Sequence, residues 1–461
     1  MSVKAAFIVP HPPIIMKEIG KGEELAILKT INSYMDVAKK TAWLKPALIV
    51  LISPHGLCYS DYIHIFLGAK FYGDLGAFGA PQVNAEADID IEFVKRLSDK
   101  ARKEGLNAGT AGKSDLNDDH GAVIPLHFIN KQYDDYKLVH ISLSGLSNVD
   151  HYRLGMLIAQ TAQEMNKDTV VVASGDLSHR LKKDGPYGYI KEGHLFDNEI
   201  TAAMEEGDFL KFLSFSPDYA QKAAECGLKS FIIMAGALDR KDVLPKLLSY
   251  EAPFGVGYAV ASFEVLGDNE ERCFLDKYLQ AERQKIQNVK QNEDEYVRLA
   301  RYAVEYYVKN KKTPPLPKDI NQELLNEKAG VFVSLKIQGN LRGCIGTLSP
   351  IHGSVAHEII YNAVSACSED PRFNPVSQEE LPFLFYGVDV LSQPLPVTDK
   401  SMLDAKRYGV IVSKGRKKGV LLPDLSGIDT VEEQILIALK KAGISEEEDY
   451  DLEYFEVIRH Q

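Results

Sequence analysis

Nine residues in the first half of the chain carry side chains that ligate metals or move protons: His11, His55, Asp118, Asp119, His120, Asp176, His179, Glu225 and Cys226. Two histidines and a carboxylate with open positions make the facial triad used by non-haem Fe(II) oxygenases. Imidazole and carboxylate hold the ion while leaving room for substrate and dioxygen, and further histidines, which titrate near neutrality, can move protons. A single histidine after a strand is more often a satisfied loop residue than a ligand. His64, His127, His140, His151, His194, His352, His357 and His460 are read in that way. His11, His55, His120 and His179 differ, because each closes a short turn containing Pro, Gly or Asp. A Cys226 thiolate would make a softer site, suited to Zn, Cu(I) or Fe rather than Mg or Ca. Its plainer role is that of a small buried hydrophobe. Asp176 can equally well cap a turn or a helix.

Continuous apolar runs must position these residues. Lys4–Val9, Pro46–Ser53, Lys137–Leu143 and Thr169–Ala173 suit strands buried on both faces. Helical stretches lie between them at Glu23–Ala42, Ile91–Glu104 and Tyr152–Met165. Alternating strands and helices predict an α/β domain with a largely parallel central sheet. Ligands of such sheets sit beyond the carboxyl ends of the strands. His11, His55 and the Gly175–His179 segment each follow an apolar run directly, which places them on that edge. Tyr250–Val265 reads as the last strand of a domain spanning residues 1–266. Residues 267–293 are highly charged and read as a partly helical linker. An amphipathic helix near Asp294 opens a second, α+β domain over residues 294–461.

The 461 residues carry a net charge of -12. That balance argues against a general nucleic-acid binder, since phosphate binding needs a positive footprint. No segment reads as a membrane span, and Pro10, Pro12 and Pro13 interrupt the apolar start where a signal peptide needs an unbroken run. Five cysteines without CxxC spacing make disulfides unexpected and the cytoplasm the expected compartment. Oligomeric state is not legible.

Over residues 1–266, the ordered segments VPHPP, SPHG, NDDHGAVIPL, SGDLSHRL and ECGLKSFIIMAGAL resemble the class III extradiol dioxygenases of the LigB-like family, and the Memo family that shares their scaffold. The resemblance implies that His11 and His55 bind Fe(II), with Zn or another divalent metal as the alternative. It implies a third ligand at the start of the helix carrying the GAL segment. That ligand is Glu225, matching the dioxygenase carboxylate, or Cys226, matching a Memo-type cysteine. His120 and His179 would line the site, one of them acting as acid/base, and Asp176 matches a Memo site residue. The implied substrate is a small aromatic or otherwise metal-chelating molecule that binds the iron through two oxygens, with dioxygen in the remaining position. Phe71, Tyr72 and Tyr187 are available to exclude water, although ordinary packing is the commoner role of such residues.

Residues 294–461 resemble the AMMECR family through GVFVSL at Gly330, LRGCIGTL at Leu341, SACSEDPRFNPVSQEEL at Ser365 and GVLLPDLSGIDTVEEQ at Gly419. LRGCIG follows a strand pattern with a turn at Gly339–Asn340. Gly343 and Gly346 bracket Cys344, which would let a ligand or another chain approach the backbone closely. Arg342 could bind a carboxylate or phosphate and lower the pKa of Cys344 toward a nucleophile. The plainer reading is a tight strand and turn with Cys344 buried and inert. Asp370–Phe373 reads as a turn fixed by an Asp370–Arg372 pair. Together the two resemblances suggest the fused form of the AmmeMemoRadiSam group, whose third member, a radical SAM protein, is an expected partner. Two further readings compete with the dioxygenase: a metal-binding accessory protein without turnover, and a hydrolase using metal-bound hydroxide.

Overall fold

The computed structural model describes residues 2–112, 119–337, 339–425 and 427–461. The chain divides into two compact units, Met1–Gln280 and Ala281–Gln461.

The first unit is built on strands β1 (Val3–Val9), β2 (Leu48–Ser53), β3 (Ile63–His64), β4 (Lys70–Leu75), β5 (Ala80–Ile89), β6 (Ala108–Gly109), β7 (Lys137–Ser142), β8 (Thr169–Ser174), β9 (Lys241–Glu251) and β10 (Tyr258–Asp268). Among the described residues, eight of these form one sheet in the order β4-β5-β7-β2-β8-β1-β10-β9. Its centre, β5-β7-β2-β8-β1, is parallel, and β4, β10 and β9 add antiparallel edges. Every residue of β2 and β8 is buried, as expected for parallel strands covered on both faces. The helices Leu28–Leu44 and His120–Asn130 pack on each other, and so do Asn148–Glu164 and Leu228–Ala237. The N-terminal unit thus has the expected largely parallel α/β fold. Where one last strand is expected over Tyr250–Val265, a hairpin stands instead: Glu251 pairs with Tyr258, and the chain reverses at Pro253–Gly257. A proline and two glycines supply that turn.

Parallel pairing sets the geometry that matters for chemistry. Val9 lies opposite Ser174, Ser53 opposite Ser142, and Ile52 opposite Ala173. The strands therefore end level, and His11, His55 and Asp176 each follow two residues beyond a strand end. No helix among the described residues is long and apolar enough to cross a membrane.

The region expected as linker holds the end of β10 and one continuous helix, Phe274–Gln291. In the second unit, Asp294 accepts the Val297 N–H and caps the helix Glu295–Asn310. The strands are β11 (Gly330–Ile337), β12 (Asn340–Gly346), β13 (Leu384–Leu391), β14 (Leu395–Pro396), β15 (Tyr408–Lys414), β16 (Lys417–Leu421) and β17 (Asp451–His460). All pair antiparallel in the order β12-β11-β13-β17-β15-β16, with β14 on β17. The helix Val355–Ser368 packs against β11 and β12, which completes the α+β fold.

Candidate metal centre

His11 is fixed from three sides. Its backbone N–H donates to Asp176 Oδ1 at 2.9 Å, and its Nδ1 lies 2.9 Å from Ser174 Oγ. Its Nε2 faces His55 Nε2 at 2.9 Å and Cys226 Sγ at 3.6 Å. One ligand atom from each of His11, His55 and Cys226 falls within a 4.8 Å group. Donor atoms around an ion bound at 2.0–2.3 Å stand about 3.0–3.6 Å apart, so the 2.9 and 3.6 Å separations from His11 Nε2 are close to those around a transition-metal ion. A serine hydroxyl on Nδ1 suits a ligating imidazole, because it holds the ring with the Nε2 lone pair turned outward. His11 is buried, Cys226 half-buried and His55 exposed, so the group is rooted in the core and open on one side.

The electrostatics agree. Burial, and then the His55 charge, hold the His11 pKa well below its ordinary value, so the ring is neutral and free to ligate. Burial, then the Asp176 carboxylate, push the Cys226 thiol well up. A coordinated divalent cation reverses that preference, since it ionises a thiol outright. Asp176 is buried and its carboxyl is pushed up to about 6 by burial. It orients His11, and its backbone N–H donates to Cys226 Sγ at 3.3 Å. Gly175 and Gly227 make the approach possible, since a Cβ on Gly175 would stand 2.1 Å from Gly227 Cα. Any side chain there would clash with the backbone next to Cys226.

Glu225, the carboxylate alternative for third ligand, lies outside this group. Its Oε2 accepts the Leu228 N–H at 2.6 Å and so caps the helix Leu228–Ala237. Burial pushes its carboxyl up to about 7. Local chemistry accounts for this placement: a carboxylate three residues ahead of a helical N–H is recruited by that helix end, while the neighbouring thiol faces His11. Asp118 lies outside the described residues. Asp119 stands outside the His11–His55–Cys226 group; it caps the helix His120–Asn130 and bonds Ser53 and His140.

His120 stacks on His55 with ring centroids 4.1 Å apart, and its pKa is driven down to about 3 by burial, then by His11 and His55. His179 carries a buried Nδ1 without a partner among the described residues, and the exposed Tyr187 meets its ring edge-on at 5.1 Å. Of the other aromatics expected near the site, Phe71 is core and packs on His140, and Tyr72 is exposed, its hydroxyl facing Asp74. The exposed Phe78, given no role from sequence, packs on His120 at 5.2 Å. Ser53, Ser174 and His140 also escape the sequence reading. Their signal is polar residues inside or ending otherwise apolar runs: β2, β7 and β8 all end in serine, and His140 interrupts β7.

In the second unit, Arg342 is spent on Glu380, donating from Nε at 2.6 Å and from Nη2 at 3.0 Å. The expected lowering of the Cys344 pKa by Arg342 is not found. Burial pushes that thiol up, opposed chiefly by Arg372. Cys344 N–H donates to Asp370 Oδ2 at 2.9 Å, and Arg372 donates to the Cys344 carbonyl at 3.3 Å and twice to Asp370. The Asp370–Arg372 pair thus closes the outer edge of β12. A Cβ on Gly343 would stand 2.2 Å from the Ala366 carbonyl, and one on Gly346 2.2 Å from the Phe332 ring. The close approach served by these glycines is to the unit's own helix and strand.

The family model described as the catalytic LigB subunit of aromatic ring-opening dioxygenase matches residues 5–261, and the AMMECR1 model matches residues 297–460. The chain belongs to the LigB family and carries an AMMECR1 domain after it. Protein CA_C1420 of Clostridium acetobutylicum is 40% identical over 469 residues, covering 100% of both chains. A protein of Thermotoga maritima is 48% identical over 171 residues, 37% of this chain and 98% of its own. The crystal structure of uncharacterized protein PH0010 from Pyrococcus horikoshii shares 36% identity, covers 36% of this chain and 88% of its own, and has a TM-score of 0.33.

Two predictions follow from these contacts. Anaerobic Co(II) titration of the full chain is expected to give a sulfur-to-cobalt charge-transfer band in the wild type and in Glu225→Gln. Cys226→Ser should lose that band; a band that survives there would exclude the thiol as a ligand. In the second unit, Arg372 holds the Asp370 carboxyl well below the usual carboxylate range through its hydrogen bonds. A depressed folded pKa contributes stability that is complete above the unfolded value of about 4 and is lost as pH falls. Asp370→Asn is therefore expected to lower stability by on the order of 1 to 2 kcal/mol at pH 7, measured by urea denaturation. The gap should narrow below about pH 4, and a gap independent of pH would contradict the assignment.

Proposed function

We propose that the N-terminal unit is a metal-dependent oxidoreductase of the extradiol type, which holds Fe(II) through His11, His55 and Cys226 and acts on a small aromatic or otherwise metal-chelating substrate. The observation that carries this reading is the convergence of those three side chains at the carboxyl edge of a parallel sheet. Membership of the LigB family supports the same reaction class. Bound there, Fe(II) supplies a redox-active Lewis acid with positions open to substrate and dioxygen.

The chain's own residues do the remaining work. His120, stacked on His55, is an imidazole placed beside the ligand group where it can exchange a proton with the hydroxyl of an entering substrate. His179, on the loop after β8, is the second imidazole available for proton transfer. Phe78 and Tyr187 stand against these two rings as exposed aromatic surfaces suited to the flat face of an aromatic substrate. Asp176 fixes His11 through its backbone and so holds the ligand group in register.

A second reading has one observation in its favour. A thiol stands where the facial triad has a carboxylate, which suits a metal-binding accessory protein working with a radical SAM partner and without oxygen turnover.

Oxygen uptake by Fe(II)-loaded chain with a panel of catechols separates the two. The oxidoreductase reading predicts substrate-dependent uptake that falls at least about 100-fold in His11→Ala and His55→Ala. Stoichiometric iron binding with no uptake on any catechol would overturn it in favour of the accessory role.

A further inference from the structure

Asp119 is 2% exposed and collects bonds from three directions. Its Oδ1 accepts the Ser53 hydroxyl at 2.7 Å and the Ala122 N–H at 3.1 Å, and its Oδ2 lies 3.0 Å from His140 Nε2. Ser53 Oγ in turn accepts the His55 N–H at 3.3 Å. The turn that presents His55 and the helix that begins at His120 therefore hang on one carboxylate. These are the two rings that stack at 4.1 Å with an interplanar angle of 27°. They come from different elements, 65 positions apart in sequence, and Asp119 touches both supports.

His140 completes the arrangement at a cost. It is fully buried in the middle of β7, and it spends Nε2 on Asp119. Its Nδ1 is buried without a partner among the described residues. An apolar side chain would suit this strand better, because an unpaired buried polar atom destabilises the fold. What the imidazole supplies is a grip on the carboxylate. Burial alone would push the Asp119 carboxyl up, yet the His140 hydrogen bond and charge and the Ser53 hydroxyl hold it below the usual carboxylate range.

We infer that Asp119 is the positioning residue that sets metal-ligating His55 against His120, and that His140 holds Asp119 in that role. The inference rests on the metal reading of His11, His55 and Cys226. Partners behind a metal ligand typically matter by 10- to 100-fold in affinity, and a carboxylate serving two elements belongs to that range.

The test is Co(II) affinity of the full chain, by competition with a chromophoric chelator, together with the cobalt spectrum and the thermal midpoint. Asp119→Asn keeps the size of the side chain but replaces one accepting oxygen with a donor, and is expected to weaken Co(II) binding by roughly 10- to 100-fold. His140→Phe should weaken binding similarly in a chain that still unfolds in one cooperative thermal transition, at a lower midpoint because the buried Asp119 loses its partner; weakened binding by a folded chain is a combination that loss of fold does not produce. His140→Gln, whose amide can donate to the same carboxylate, should recover affinity to within a few-fold of wild type. Wild-type affinity in Asp119→Asn, or no recovery in a folded His140→Gln, would overturn this inference alone. Absence of Co(II) binding by the wild type would overturn the metal reading, and this inference with it.

Discussion

Everything at the candidate site depends on the parallel pairing of β1, β8 and β2. These strands are apolar along almost their whole length and covered on both faces, so their register is fixed by burial on either side. Because they run the same way and end level, the chain leaves the sheet three times along one edge. His11, His55 and Asp176 fall at the same offset after those exits. A slip of one residue in any strand would exchange the side chains packed on its two faces and move the residue that follows it by about 3.3 Å. Binding at the carboxyl edge is general for parallel α/β sheets; the distinctive feature here is that adjacent strands deliver complementary donors.

Burial also sets the charge state of the group. Among the three donors, the His11 imidazole is held neutral by its surroundings and the Cys226 thiol is kept protonated. Asp176 and Glu225, which could compete as ligands, are both pushed toward protonation by burial, and each is already engaged by a backbone N–H. A divalent cation would complete this arrangement: it would ionise Cys226 and leave the carboxylates as orienting groups. The hydrogen bonds of Ser174 and Asp119 lie one step further back, fixing rings and turns rather than touching the ion.

Much of this was legible in the sequence for a plain physical reason. Continuous apolar runs ending in PHPP, SPHG and SGDLSH reveal strand, direction and exit together, so the sheet and the positions of His11, His55 and His179 could be read from them. The choice between Glu225 and Cys226 could not, because neighbouring residues at a helix start differ only in which one the helix end recruits. His140 looked like an ordinary histidine because its partner, Asp119, is 21 positions away and meets it only in the fold. The last strand was read as one because its apolar pattern runs through Pro253 and Gly257, although two of the three antiparallel edge strands come from that hairpin. In the second unit, LRGCIG stood out by composition, yet Arg342 and Cys344 are committed to partners, Glu380 and Asp370, that lie 38 and 26 positions further along the chain.

The central claim is a metal ion held by two imidazoles and one thiolate. X-ray absorption at the iron edge of anaerobically reconstituted full-length protein tests it most directly. The account predicts one sulfur scatterer at about 2.3 Å together with two imidazole rings in the nitrogen shell. A first shell of oxygen and nitrogen alone, with no sulfur, would contradict it and return the third position to a carboxylate.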